Sequence, residues 1–396
     1  MNDLFVVDLK KKEVKFREFL ERLIAVNPFY KMVSLKEGFD VRGDNIIDIY
    51  SSLPIIKKKD ILELKKEYFS YTDEKIYSEI TSGSTGQILN CKKTASERGE
   101  LALNIWKQRR KLDPLVNIDN FIDLFSDEVE DIIGRFYEVS EESVVSNFHK
   151  IMKLKPRWLS GPISLINKFA YMIRDEKVQF TNDGTLKFIE LTGEYNDTNK
   201  VNLIRDIFQC QVIDYYGTRE TWCIAYSCLE GGMHIQDYML VDTEKENDYS
   251  KVLLTSMINR YMPFIKYDIG DRGRLIEEKC KCGKEQLLLK LDGGRVTDVI
   301  TGSNLLGNYF FDQVVWDACV VCDTPICEIQ VVQVELHFFV FYIVKSLNYN
   351  KIVEDVIRIR LKKELGINTA VEFKYVDKLK PLKNGKVKKF YPYMMT

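Results

Sequence analysis

From about residue 80 the sequence alternates strand-like and helix-like runs, and this alternation narrows the folds open to the chain more than any other feature. Residues 77–80 read as a short strand. Trp158-Leu159 leads through Gly161-Pro162 into a helix over residues 163–174. Residues 186–191 are strand-like before Gly193, residues 201–208 are helical, and residues 211–216 read as a strand ending at Gly217. Period-two runs interleaved with period-3.6 runs predict a mixed α/β architecture, with sheets flanked by helices. Residues 1–75 look helical, because Phe16, Phe19, Leu20, Leu23 and Ile24 recur at helical spacing. A further helix start is expected near Lys57, with Asp60 in its first turn. From Val252 the text turns strand-rich, at residues 252–256, 274–277 and 286–291. The last hundred residues predict a small α+β unit, with strands at 327–334, 336–344 and 370–376 and a helix at 352–365. The expected organisation is a large N-terminal domain over residues 1–296 and a smaller C-terminal domain over residues 297–396.

The chain has 396 residues, with 58 Lys+Arg against 59 Asp+Glu. A net charge of -1 gives no electrostatic footprint for nucleic acid or an anionic membrane, so neither is expected as a partner. The apolar run Leu4 to Val7 is too short for a signal-peptide core, and residues 337–344 fall well below a membrane span. Nine cysteines, an odd number spread over a long chain, argue against a secreted disulfide framework. The expected location is the cytoplasm.

The most informative local feature is Thr81-Ser82-Gly83-Ser84-Thr85-Gly86. Four hydroxyls and two glycines in six residues can aim backbone N–H groups and side-chain donors at one anion. No Gly-Lys-Ser/Thr closes it, so it is not a Walker A loop. Taken alone, the segment reads equally well as a polar turn.

The segments that follow supply the context. Thr81–Gly86 resembles the phosphate loop of the adenylate-forming superfamily, which includes acyl-CoA synthetases, carrier-protein adenylation domains and luciferases. Thr192-Gly193-Glu194 is similar to the adenine-side segment of that family. Asp214-Tyr215-Tyr216-Gly217-Thr218-Arg219-Glu220 resembles its aromatic-Gly…Glu motif. Tyr267-Asp268-Ile269-Gly270-Asp271 resembles the ribose-binding motif, and Gly294-Arg295-Val296-Thr297-Asp298 the hinge motif. Pro381-Leu382-Lys383-Asn384-Gly385-Lys386 resembles the C-terminal lysine loop. The six segments come in the family's order. Asn27-Pro28-Phe29-Tyr30, the Leu53-Pro54 segment to Asp60, and Cys228…His234-Ile235-Gln236-Asp237 followed by Cys280-Lys281-Cys282-Gly283 look like the phenylacetate–CoA ligase branch.

The resemblance implies a two-step reaction, in which a carboxylate attacks the α-phosphate of ATP and a thiol, usually that of CoA, then displaces AMP. It implies a mobile C-terminal domain. It also implies roles for residues. Thr81, Ser82, Gly83, Ser84, Thr85 and Gly86 would cradle the β- and γ-phosphates. Tyr216 would stack on adenine, with Gly193 and Glu194 in the same pocket and Asp214, Tyr215, Gly217 and Thr218 around it. Glu220 would hold Mg²⁺. Asp271 would accept from both ribose hydroxyls, Arg295 would bind near the ribose and α-phosphate, and Lys386 would reach the α-phosphate and the attacking carboxylate. Three positions depart from the family pattern. Arg219 stands where Ser or Thr usually precedes the Glu, Gln87-Ile88-Leu89 follows the phosphate loop in place of a Pro-basic pattern, and Thr297 replaces an Asp at the hinge.

Cys228, His234, Cys280 and Cys282 offer three thiolates and an imidazole, a donor set suited to tetrahedral Zn²⁺. A Cys-x-Cys pair often binds nothing, so spacing leaves both readings open; the family resemblance favours a structural zinc. Cys319, Cys322 and Cys327 read as buried thiols. Trp222, Cys223, Ile224 and Ala225, with Leu124, Phe125, Phe136 and Tyr137, are candidates for the acyl pocket, and the resemblance points to an aromatic acid. A carrier-protein thiol or an amine is the alternative acceptor, and a non-catalytic zinc-stapled relative is a third reading. The resemblance leaves room for a homodimer.

Overall fold

A computed structural model of the chain describes residues 2–81, 89–124, 141–194, 196, 198–246, 249–295, 298–303, 307–322, 324, 326–346, 349–379 and 388–393. The N-terminal region is helical, as its spacing predicts: α1 (Asp3–Lys11), α2 (Glu13–Val26), α3 (Pro28–Glu37), α4 (Ile46–Ser52) and α5 (Lys58–Leu64). The break between α2 and α3 is set by Asn27. Its side chain accepts from Tyr30 N at 2.9 Å and donates to Tyr68 O at 3.0 Å and Ser70 Oγ at 3.1 Å. Such a cap contributes about 1 kcal/mol, and Pro28 at the first helical position forfeits no hydrogen bond. Gly38 ends α3 in the left-handed region.

The remaining helices are α6 (Ala95–Leu112), α7 (Glu141–Lys153), α8 (Ile163–Arg174), α9 (Thr198–Phe208), α10 (Gly307–Val321) and α11 (Ile352–Leu365). The early strands are β1 (Ile56–Lys57), β2 (Ile76–Ile80), β3 (Asn90–Thr94), β4 (Phe121–Asp123), β5 (Trp158–Gly161) and β6 (Phe188–Thr192). The middle strands are β7 (Gln211–Thr218), β8 (Trp222–Ser227), β9 (Met233–Ile235), β10 (Met239–Glu246), β11 (Tyr249–Ser256), β12 (Tyr267–Ile276) and β13 (Leu288–Arg295). The C-terminal strands are β14 (Ile326–Glu335), β15 (Phe338–Lys345), β16 (Ala370–Tyr375) and β17 (Phe390–Tyr391). Among the described residues no helix is long and apolar enough to cross a membrane.

Two compact units emerge. The first holds residues 1–118, 190–193 and 213–292. Its strands run in the order β10-β11-β12-β13-β9-β8-β7, and β1 joins β12 in parallel. The pairs β10–β11, β11–β12, β8–β9 and β7–β8 are antiparallel. The helices α1 to α4 bury Phe5, Phe16, Leu20, Tyr30 and Tyr50 in the same core as Leu240, Leu254 and Tyr267. Each fully buried side chain of this size contributes about 1.5–3 kcal/mol. The β2–β3 hairpin pairs Ile76 with Thr94 through to Ile80 with Asn90, so residues 81–89 form its connection.

The second unit holds residues 119–189, 194–212 and 293–396. It contains the parallel pair β4–β5 and a separate sheet ordered β16-β15-β14-β17. Interior strand β15 reads FFVFYIVK, the near-continuous apolar run that burial on both faces calls for. Phe311 of α10 and Ile357 and Leu361 of α11 pack on this sheet with Phe339, Phe341 and Phe390. Ion pairs between Lys168 and Glu328, and between Lys200 and Asp312 (3.4 Å), link α8 and α9 to this C-terminal core.

The strands differ from expectation at several bounds, and β8 to β10 answer to no expected strand. Strand β12 begins at Tyr267, not near Arg274, and so takes in the Tyr267–Asp271 motif. Strand β7 runs through Gly217 to Thr218 and does not end before it.

Candidate functional site

The hairpin of β7 and β8 carries the most closely specified group of predicted residues. Its register shifts between Tyr216 and Gly217, and the reason is space. A Cβ on residue 217 would sit 2.5 Å from the Tyr215 ring and 2.6 Å from the Trp222 carbonyl oxygen, so only glycine fits there. Tyr215 lies edge-on to Tyr226 across the pair, with centroids 6.1 Å apart. Asp214 N donates to Ser227 Oγ at 2.7 Å. Behind the pair, Arg109 grips the buried Glu190 through two hydrogen bonds of 3.0 and 2.7 Å, and Tyr226 OH donates to the same carboxylate. Burial, then the Glu190 charge, holds the Tyr226 phenol well above its usual range.

Tyr216 and Asp271 come together. Tyr216 OH donates to Asp271 Oδ2 at 2.8 Å, joining β7 to β12 across 55 residues of sequence. Thr218 Oγ1 accepts from Thr221 N at 3.4 Å, a contact that tightens the turn beyond it. Arg219 is exposed and Glu220 is buried, at 9%. Glu220 Oε1 accepts from Tyr267 OH at 3.2 Å, and the Glu220 carbonyl accepts from Asn259 Nδ2 at 3.2 Å. The Asp271 and Glu220 carboxylates are thus each held by a tyrosine hydroxyl from another part of the sheet.

Thr81 opens the predicted phosphate loop and is 7% exposed. Its Oγ1 accepts from Leu89 N and from Lys58 Nζ, both at 2.9 Å. Lys58 escapes sequence reasoning, since it stands 23 residues away at the start of α5; the one available clue is that Gln87-Ile88-Leu89 lacks the expected basic residue. Ser82, Gly83, Ser84, Thr85 and Gly86 lie outside the described residues, as do Thr297 and Lys386. Gly193 is exposed with φ +77°. Glu194 accepts from the Ser164 hydroxyl at 2.9 Å and from Ser164 N at 3.0 Å. Arg295 ends β13. Of the acyl-pocket candidates, Cys223, Ile224 and Ala225 are 0–1% exposed, and Phe125, Phe136 and Tyr137 lie outside the described residues.

Cys228, His234, Cys280 and Cys282 gather their donor atoms within 4.8 Å of one another. Cys228 Sγ and Cys280 Sγ are 3.4 Å apart, and Cys282 Sγ and His234 Nε2 are 3.2 Å apart. Bonds of about 2.0–2.3 Å in a tetrahedral shell place neighbouring donors at about 3.3–3.8 Å, so the set fits one ion. The chain leaves room for it at Gly232, where a Cβ would stand 2.6 Å from Cys280 Sγ and 3.3 Å from His234 Nε2. Burial, then Lys284, holds the His234 imidazole below its ordinary pKa, in the neutral form a metal needs. Burial and the bond to Cys280 push Cys228 up to about 11. For Cys280, hydrogen bonds from Cys282, Cys228 and Gly232 outweigh burial and favour its thiolate. Cys319 and Cys322 instead pack partly buried against the C-terminal core.

Residues 306–390 match the CapK C-terminal domain family. Comparison with curated protein sequences gives no match. Among solved structures the chain is similar to 2-hydroxyisobutyryl-CoA ligase in the postadenylation state in complex with 2-HIB-AMP. The identity is 14% over 97% of this chain and 89% of that one, with a TM-score of 0.73. O-succinylbenzoate coenzyme A synthetase from Bacillus subtilis, in complex with ATP and magnesium ion, is similar at a TM-score of 0.52. There the identity is 14% over 88% of this chain and 77% of that one. At such identities the likeness establishes the fold, which is the mixed α/β fold of adenylate-forming ligases with their C-terminal domain.

Proposed function

We propose that the protein is an AMP-forming acid–thiol ligase, which activates a carboxylic acid with ATP and passes the acyl group to CoA. The observation that carries this reading is the Tyr216–Asp271 hydrogen bond of 2.8 Å beside the anchored Glu220. It supports an adenosine subsite next to a phosphate subsite. In the first step a carboxylate oxygen bonds to the α-phosphorus, the bond to the bridging oxygen breaks, and pyrophosphate leaves. In the second the CoA sulfur attacks the acyl carbon, its proton is released and AMP departs.

The Tyr216 ring stacks on adenine against Gly193, and Asp271 accepts from the ribose hydroxyls. Thr81 and the residues through Gly86 hold the β- and γ-phosphates, and Lys58 supplies the cation that Gln87-Ile88-Leu89 lacks. Mg²⁺ at Glu220 would neutralise phosphate charge. The exposed Arg219 stands where the family has a hydroxyl and brings a planar, two-pronged donor to the α-phosphate. Arg295 adds charge near the ribose. Lys386, on a C-terminal domain starting near residue 297, bridges the α-phosphate and the incoming carboxylate as a point charge. Trp222 borders an acyl pocket suited to an aromatic acid. Cys228, His234, Cys280 and Cys282 hold a structural Zn²⁺, since four protein ligands close the shell against substrate.

Acid-dependent exchange of labelled pyrophosphate into ATP, run over aryl, arylacetic and short aliphatic acids, tests the reading. Exchange with one acid class and CoA-dependent thioester formation is the expected result. Folded, zinc-loaded protein that exchanges with no acid would overturn it.

A further inference from the structure

The β2–β3 hairpin carries a lysine placed where lysines rarely sit. Lys93 is 1% exposed. A buried ammonium needs both a counter-charge and hydrogen-bond acceptors, and Lys93 has both. Its Nζ lies 3.2 Å from Glu79 Oε2, and it donates to the main-chain carbonyl of Arg219 at 2.6 Å. Glu79 in turn accepts from Trp222 Nε1 at 2.8 Å, and Arg98 Nε stands 3.9 Å from its other oxygen. One ion pair on the hairpin therefore grips the chain on both sides of Glu220, at residue 219 and at residue 222.

Two further facts show what this grip resists. Trp222 has φ +58°, a left-handed conformation that a bulky residue keeps only when its surroundings impose it. A pair of apolar side chains would fill the same space without burying charge, and buried ion pairs seldom add net stability. Placement explains Lys93 and Glu79 better than stability does. They sit on the two strands whose connection, residues 81–89, begins with Thr81.

We propose that Lys93 and Glu79 are positioning residues that fix the Glu220 segment relative to Thr81 at the end of β2, so that Mg²⁺ held at Glu220 and a phosphate held beside Thr81 would meet in one geometry. This rests on the adenylation reading. Neither residue touches substrate in it; both act through the Arg219 carbonyl and the Trp222 indole.

The test compares wild type with the neutral double variant Lys93→Met/Glu79→Gln, which leaves no unpaired buried charge, and with Lys93→Arg, which keeps the donor. Two readouts are taken: pyrophosphate exchange as a function of Mg²⁺, and amide hydrogen exchange over residues 216–226 without ligand. In the double variant, the turnover of exchange should fall by about 10²-fold, the cost of a roughly 1 Å misplacement. Its Mg²⁺ half-saturation should rise by roughly tenfold, the loss of one charge-assisted hydrogen bond, while the KM for the acid stays within about twofold. Amide exchange at residues 219–222 should quicken by about tenfold while β10 and β11 keep their protection. Lys93→Arg should recover most of both effects.

Wild-type protection at 219–222 in the double variant, or loss of protection spread over the whole unit, would overturn the proposal. Wild-type Mg²⁺ dependence in an active double variant would overturn it as well. If wild-type protein exchanges no pyrophosphate, the adenylation reading fails, while the amide measurement still decides whether the clamp exists.

Discussion

Two polar clusters share the strands of the first unit, and they are held in opposite ways. Around Tyr216, Asp271 and Glu220, each functional side chain has a partner from another element: Asp271 from Tyr216, Glu220 from Tyr267, the Glu220 carbonyl from Asn259. In the Cys/His cluster the side-chain donors face one another, with contacts of 3.4 and 3.2 Å. The first arrangement is complete without a ligand, as a preorganised binding face must be. The second is completed by an ion, and its stability should depend on that ion. The first cluster should therefore govern turnover and nucleotide affinity, and the second should govern folding.

The sharpest break between the two comes from activity. Lys386→Ala should slow pyrophosphate exchange by about 10²–10³-fold, the cost of one transition-state charge partner, with no change in melting temperature. Near-normal exchange would remove Lys386 from the site. Cys280→Ser should do the reverse. The variant should lose zinc by metal analysis and melt roughly 5–15 °C lower, while residual folded protein keeps its nucleotide affinity. Pure wild-type protein without zinc would dissolve the comparison. The smallest effect is the most local. Tyr216→Phe keeps the ring and loses the bond to Asp271, so the KM for ATP should rise only about 2–10-fold, as one hydrogen bond predicts.

What the sequence makes legible follows from how local each feature is. The helix Ile163–Arg174 is readable because Gly161-Pro162 marks its start and its apolar face repeats cleanly. The helix Ile352–Leu365 is readable because Gly366 follows it. Strand β12 is misjudged at its start because Asp268, Gly270, Asp271 and Arg272 interrupt the alternation that signals a strand. In the middle of the chain, β8 to β10 are missed because β8 reads WCIAYS and β10 ends in polar TEKE, so neither alternates. The Cys/His set is legible because histidine and cysteine are scarce, with 3 His in the chain. Lys58 and Lys93 are illegible for the opposite reason. Lysine is common, and only the fold brings Lys58 to Thr81 and Lys93 to the Arg219 carbonyl, 126 residues away.

If the acid is activated as an acyl-adenylate, one of its carboxylate oxygens ends in AMP, and oxygen tracing follows that transfer. The best acid from the exchange panel would be labelled with ¹⁸O in both carboxylate oxygens and turned over with ATP and CoA, and the products read by mass spectrometry. One ¹⁸O is expected in AMP and none in pyrophosphate. Label in inorganic phosphate with release of ADP, or thioester formed with unlabelled AMP, would contradict it.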